Sequence, residues 1–112
     1  MGDLAWAVLR PLLFRLDPED AHHATLALAA RFPRLIGALA GGAPPPGLAR
    51  TLLGKPIPSP IGLAAGLDKD ALALPLWERL GLGFVEVGTV TPLPQPGNPR
   101  PRVHRLPRER AL

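Results

Sequence analysis

The stretch GLAAGLDKDALAL, Gly62 to Leu74, sets Ala64, Ala65 and Gly66 directly ahead of Asp68, Lys69 and Asp70. Small side chains where a strand ends let a flat ligand lie against the backbone, and a lysine three residues on can reach that ligand's polar edge. In parallel α/β architectures ligands gather at the carboxyl ends of the strands. A fixed positive charge beside an electron-accepting ring stabilises its anionic reduced form, one of the ways a protein tunes a flavin. The competing reading is a solvent-facing lysine at a helix start, with Asp68 and Asp70 as first-turn acids. Gly88-Thr89 occupies the equivalent place after a second predicted strand. Its hydroxyl can bind a ligand oxygen, or the pair is an ordinary turn.

Other motifs are weaker. The glycines of GLGFVEVG (Gly81, Gly83, Gly88) precede a strand, whereas a dinucleotide fingerprint follows one. GLAAGLDK is no phosphate loop, because its lysine lacks the adjoining second glycine and hydroxyl. His22 and His23 are neighbours in a first helical turn and point apart, so they do not form a metal pair, and solvent exposure is the plain reading. No metal site is expected. TPLPQPGNPRPR reads as an extended, rigid loop over a site; imitation of a polyproline ligand is the other possibility.

The elements that must position these residues follow from pattern. Residues 4–16 have apolar side chains near helical spacing, with Trp6, Leu13 and Phe14 widening the face and Pro11 a potential break. LDPEDAHH is a helix start: Asp17 as N-cap, Pro18 first, Glu19 and Asp20 in the first turn, with the helix running to about Phe32. Arg34–Ala40 predicts a further helical turn, ended by Gly41 and Gly42. GGAPPPGLAR is linker by composition, which divides the chain into 1–45 and 46–112. Arg50–Ile57 predicts a small hairpin, Ile61–Ala64 a strand, Asp70–Leu80 a helix and Phe84–Val87 a strand. A strand, loop, helix and strand in that order form a βαβ unit with parallel strands. RVHRL (102–106) looks hairpin-like.

Composition sets the bounds. The chain has 112 residues, 46% of them hydrophobic, with 16 prolines and 12 glycines, too many for a simple helical bundle. A closed (β/α)₈ barrel takes roughly 250 residues, so the sequence reads as the beginning of something larger. Net charge is +4 and eleven of the thirteen basic residues are arginine. That balance suits an anionic surface such as phosphate, nucleic acid or acidic lipid, or reflects a biased genome or heat adaptation. The absence of cysteine excludes disulfides, iron–sulfur clusters, thiolate zinc sites and a cysteine nucleophile within these residues. No stretch approaches the roughly 20 apolar residues of a membrane span, and the first twenty residues do not read as a signal peptide.

Taken together, GLAAGLDKD (62–70), GFVEVGTVTPLPQPGNPRPRVHRL (83–106) and LDPEDAHH (16–23) resemble the quinone-dependent (class 2) dihydroorotate dehydrogenases, from about Leu16 to Leu112. The resemblance implies an FMN enzyme of pyrimidine (UMP) biosynthesis: an α/β (TIM) barrel with FMN at its carboxyl face, preceded by a small amphipathic helical domain that touches the membrane and forms a quinone tunnel. On this basis Ala65, Gly66, Leu67, Asp68 and Lys69 match the first FMN-binding loop, with Lys69 also reaching dihydroorotate or orotate. Thr89 matches the hydroxyl that contacts FMN after the second strand. His22 and Arg105 match polar residues of the quinone pocket, while Leu13 stands where some relatives carry a polar tunnel residue. Peripheral attachment to the cell membrane on its cytoplasmic side is implied, with no nucleic-acid partner.

The family continues with an asparagine-containing substrate loop, a catalytic serine base and the FMN phosphate site, and the 112 residues contain none of these. No catalytic base is therefore expected here, and the segment alone should be inactive. One rival is a non-catalytic, truncated membrane-binding piece, which the coding DNA beyond Leu112 discriminates. The other is a soluble class 1 enzyme, which residues 1–45 disfavour.

Overall fold

The computed structural model describes residues 2–41, 44–109 and 111. Its elements run α1 (Gly2–Leu13), α2 (Pro18–Arg31), α3 (Pro33–Ala40), β1 (Arg50–Leu52), β2 (Lys55–Ile57), β3 (Gly62–Leu63), α4 (Leu74–Arg79) and β4 (Phe84–Val85). Two compact units emerge: Met1–Thr25 with Thr91–Leu112, and Leu26–Val90.

In the first unit, α1 continues through Pro11 and ends at Leu13; residues 14–16 form a tight turn, with Arg15 N–H on the Leu12 carbonyl at 3.1 Å and Leu16 N–H on Leu13 at 3.2 Å. Proline near a helix end removes one ladder bond and leaves the preceding turns intact, so the helix stops three residues short of the predicted Leu16. α2 starts as its sequence predicts. Asp17 Oδ1 accepts the Glu19 N–H at 2.9 Å and the Asp20 N–H at 3.3 Å, satisfying orphan donors of the first turn. RVHRL forms no named strand; Leu106 instead makes an isolated antiparallel bridge to Ala111.

In the second unit, α3 ends at Ala40 with Gly41 left-handed (φ 106°). Gly42 lies outside the described residues. β1 and β2 pair antiparallel through a two-residue turn in which Leu53 and Gly54 have φ 51° and 78°, the primed geometry that matches strand twist. β3 and β4 pair parallel, Gly62 with Phe84 and Leu63 with Val85. Close backbone approach requires the glycines here: a Cβ at Gly62 would enter the Phe84 ring, and one at Gly83 would meet the Ser59 carbonyl. The core joins Leu26 and Ala29 of α2 to Ala73, Leu76 and Trp77. Ile36, Leu63, Leu80, Leu82 and Val85 pack around it.

The predicted helix from Asp70 is shorter than expected and starts at Leu74. Ala71 is left-handed (φ 56°), a conformation a right-handed helix does not admit. Pro75 sits in the first turn of α4, where its missing N–H costs nothing.

Candidate functional site

The carboxyl ends of β3 and β4 lead into two loops, Ala64–Ala73 and Glu86–Thr89. Glu86 N–H donates to the Leu63 carbonyl at 2.8 Å, carrying the parallel ladder one residue beyond the strand. Gly88 N–H then donates to the Lys69 carbonyl at 2.9 Å. A Cβ on Gly88 would lie 2.8 Å from Lys69 Cβ and 3.0 Å from its carbonyl oxygen, so only glycine admits this approach. The two loops singled out in the sequence are thereby brought side by side, and Lys69 and Thr89 share one edge of the sheet.

The small residues leave space along that edge. Ala65 is half-buried, Gly66 and Leu67 are exposed, and a Cβ built on Gly66 meets nothing within 4 Å. Lys69 and Thr89 are exposed, and the Lys69 ammonium makes no ion pair among the described residues. An open strip of backbone, an ammonium without an ion pair among the described residues and a hydroxyl fit a flat heteroaromatic group with an electron-rich polar edge.

Asp68 differs from its neighbours. Its side chain is wholly buried, at 0% exposure. Oδ1 accepts the Leu72 N–H at 2.8 Å; Oδ2 accepts the Ala73 N–H at 2.9 Å and the Trp77 indole Nε1–H at 2.7 Å. The carboxylate thus caps the start of α4 from five residues upstream. Sequence reasoning reads Asp68 as a first-turn acid and, by resemblance, as part of an FMN-binding loop; its buried side chain does not face such a ligand. Pro75 was the available signal, since proline in a first turn dates the helix start to Leu74 and frees Asp68 for another task.

In the first unit, His22 is half-buried in α2 and its ring meets that of exposed His23 edge-on, with centroids 5.5 Å apart. Among the described residues no group of histidines and acids is arranged to hold a metal. Arg105 closes the end of α1: Nη1 donates to the Leu16 carbonyl at 2.7 Å and Nη2 to Leu13 at 3.2 Å. Its guanidinium also lies 4.7 Å above the Phe14 ring, and that of Arg10 lies 5.2 Å from the same ring. Beside them Trp6, Ala7, Arg10, Pro11 and Phe14 line an open, largely apolar groove of ≈ 530 Å³. Leu4, Trp6, Val8, Leu9 and Leu12 of α1 are exposed. No helix among the described residues is long and apolar enough to cross a membrane.

Sequence reasoning also missed an ionic cluster that shapes the proline loop. Arg102 Nη2 and Nε donate to Glu19 at 2.6 and 3.1 Å, while its Nη1 donates to the Pro96 and Asn98 carbonyls at 2.7 and 3.1 Å. Arg100 Nε lies 3.1 Å from Glu19 Oε2. The Arg102 hydrogen bond, helped by both arginine charges and opposed by partial desolvation, lowers the Glu19 pKa from 4.5 to about 2. Nothing in GNPRPR alone signals a partner some eighty residues away.

A parallel strand pair joined through a helix, with small-residue loops converging at its carboxyl end, defines an α/β protein with a candidate small-molecule site. The family description "Dihydroorotate dehydrogenase" matches residues 47–112, and the chain belongs to that family. It is 56% identical over 110 residues to "Dihydroorotate dehydrogenase (quinone)" of Deinococcus deserti, covering 94% of this chain and 31% of that protein. The protein of the same name from Ralstonia nicotianae is 54% identical over 117 residues, covering 100% and 33%. The ligand-free DHODH structure from Eimeria tenella shares 43% identity at a TM-score of 0.61, covering 82% of this chain and 25% of that one. The structure of the same enzyme in complex with ferulenol gives 40% and 0.58, covering 81% and 25%. The chain therefore spans about a third of the length of the curated relatives it matches.

Proposed function

We propose that this segment acts within a quinone-dependent dihydroorotate dehydrogenase, oxidising dihydroorotate to orotate in pyrimidine biosynthesis. The observation that carries the reading is the Gly88–Lys69 hydrogen bond, which sets Lys69 and Thr89 on one edge beyond two parallel strands. Residues 46–112 begin an FMN-binding (β/α)₈ barrel in this reading, and 1–45 form a helical domain facing quinone and membrane. Ala65, Gly66, Leu67 and the Asp68 backbone line the FMN ring. Lys69 holds a positive charge at the ring's polar edge and meets the carboxylate of the substrate, and the Thr89 hydroxyl hydrogen-bonds a ring heteroatom. Bound there, FMN supplies hydride acceptance from dihydroorotate and electron delivery to the quinone.

On the acceptor side, the exposed apolar face of α1 lies in the headgroup region of the cell membrane on its cytoplasmic side. Apolar burial contributes about 25 cal/mol per Å², and Arg10 and Arg15 add attraction to anionic lipid. His22 and Arg105 donate hydrogen bonds to quinone carbonyls. The test uses the full-length protein carrying this segment. Dihydroorotate is expected to bleach its flavin and a long-chain quinone to restore the colour. Deleting residues 1–40 is expected to abolish liposome binding and quinone reduction while sparing the bleaching. A deletion variant that reduces quinone as well as the parent overturns the membrane-facing half. The isolated 112-residue chain is expected to show no dihydroorotate oxidation, and turnover above roughly 1 per second would overturn the barrel-segment reading.

A further inference from the structure

We propose that Asp68 is a positioning residue for Lys69, its buried carboxylate fixing the loop from which the lysine reaches the ligand. The inference rests on the functional reading above and names a task for a side chain that the reading leaves idle. An ionised carboxylate taken from water loses several kcal/mol of solvation. Charge-assisted donors offset that loss, and three converge here from Leu72, Ala73 and Trp77. The result closes residues 68–73 into a ring that also sustains the left-handed Ala71, a conformation worth roughly 1–2 kcal/mol of strain.

Lys69 is the next residue along, and its carbonyl is held by Gly88 N–H. The lysine backbone is thus gripped on one side by the Asp68 ring and on the other by the Gly88 strand end. The four-carbon stem and ammonium extend from this held backbone into solvent. Capping α4 alone does not explain this arrangement, because a serine or aspartate at the N-cap would do so locally. The N-cap is Ala73, without a side-chain cap, and the capping group stands immediately before the lysine.

Asp68→Asn keeps the shape and turns an amide NH₂ toward N–H donors, so one oxygen's partners are lost. In the full-length protein it is expected to slow dihydroorotate-dependent flavin bleaching by about 10–100-fold, the scale of a misplaced reacting group. On a Lys69→Ala background the same substitution is expected to change the rate by less than about twofold, because residues acting through one another are not additive. Without FMN, amide exchange at Leu72 and Ala73 is expected to accelerate, equally in both backgrounds. Trp77→Phe removes the indole donor and leaves the Leu72 and Ala73 N–H bonds in place. It is expected to produce the same pattern more weakly, and it decides the matter if Asp68→Asn does not fold. Slowing of equal size with and without Lys69, or faster exchange with unchanged bleaching, overturns the positioning role. Failure of the unaltered protein to bleach its flavin overturns the enzymatic reading itself.

Discussion

The Lys69 loop and the arginine-bearing segment at 100–105 are both ordered by ionic hydrogen bonds, with opposite polarity. In the first, one carboxylate with no exposure gathers N–H donors from its own loop and the adjoining helix. In the second, guanidiniums that remain partly in solvent gather carbonyls and carboxylates from distant helical positions. A dry acceptor surrounded by backbone donors is insensitive to salt and has few alternative geometries. Half-exposed arginine contacts are screened by salt and compete with water. The strict geometry fits the ring contact proposed for Lys69, and the forgiving one fits the quinone wall proposed for Arg105.

The contrast is broken most strongly at Lys69. Lys69→Ala in the full-length protein is expected to slow flavin bleaching by about 10²–10³-fold, the usual loss when a group stabilising developing charge is removed. Lys69→Arg is expected to restore only part of the rate, because a planar fork does not replace a compact point charge. Stopped-flow absorbance reads both. A Lys69→Ala protein that bleaches at the parental rate returns the residue to an ordinary surface lysine.

Gly88→Ala probes the same loop from the other strand. The added methyl meets Lys69 Cβ at 2.8 Å and its carbonyl at 3.0 Å, and neither atom belongs to a flexible end. Overpacking of this kind costs about 1–3 kcal/mol, seen as a lowered urea midpoint with an unchanged slope, together with weaker FMN affinity. Unaltered stability would mean that the two loops separate freely, and the strict half of the comparison would fail.

What the sequence made legible follows the range of the interactions. The α2 start, the β1–β2 hairpin and the parallel β3–β4 pair rest on local rules: an Asp-Pro cap, a Leu-Gly turn, apolar runs bounded by glycine. Lys69 and Thr89 are legible as loop residues after strands, and their proposed roles come from the family resemblance. The start of α4 was misplaced because helical spacing was read through Ala71, whose left-handed backbone is imposed by contacts that no spacing encodes. Arg102–Glu19 and Arg105–Leu16 join positions more than eighty residues apart, and nothing local announces them.

Arg105 then sharpens the forgiving half. Its bonds to the last carbonyl of α1 and to Leu16 in the following turn, with its place over Phe14, make it a helix cap as well as a proposed quinone contact. Arg105→Ala is expected to cost about 1–2 kcal/mol of stability, typical of charged hydrogen bonds at a partly exposed site, and to raise the quinone KM several-fold with bleaching nearly intact. Arg105→Lys should recover some of the stability, since an ammonium reaches a helix end but lacks the planar fork that spans the Leu13 and Leu16 carbonyls. Loss of bleaching instead of quinone reduction would place the residue on the wrong side of the enzyme.

Glu19 gives the arginine cluster a pH signature. Its pKa is lowered from 4.5 to about 2, first by the Arg102 hydrogen bond. A depressed carboxylate contributes stability that is present above pH 4.5 and lost as pH falls through about 2. The urea midpoint, compared at pH 4 and pH 2, is expected to fall further in the parent than in Glu19→Gln, whose amide binds the guanidiniums without charge at both values. An equal fall in the two proteins would mean that proline stiffness, and not the ion pairs, holds the segment.

The smallest effect belongs to Asp20 and Arg100. Their contact is short, 2.6 Å from Nη1 to Oδ1, yet the side chains are 50% and 58% exposed. Exposed pairs of good geometry still contribute only about 0–1 kcal/mol, since water competes and two long side chains lose rotamer freedom. Asp20→Asn is the cleaner probe, because Arg100 also faces Glu19 at 3.1 Å and its removal would disturb both contacts. The expected destabilisation is a slight drop in the urea midpoint near 0.1 M salt. It should vanish near 1 M, where the screening length contracts from about 10 Å to about 3 Å. Asp68→Asn measured alongside should keep its effect at both salts, because the carboxylate itself is fully buried. If Asp20→Asn keeps its effect at high salt, the pair is shielded after all, and the two regions differ less in solvation than their exposure indicates.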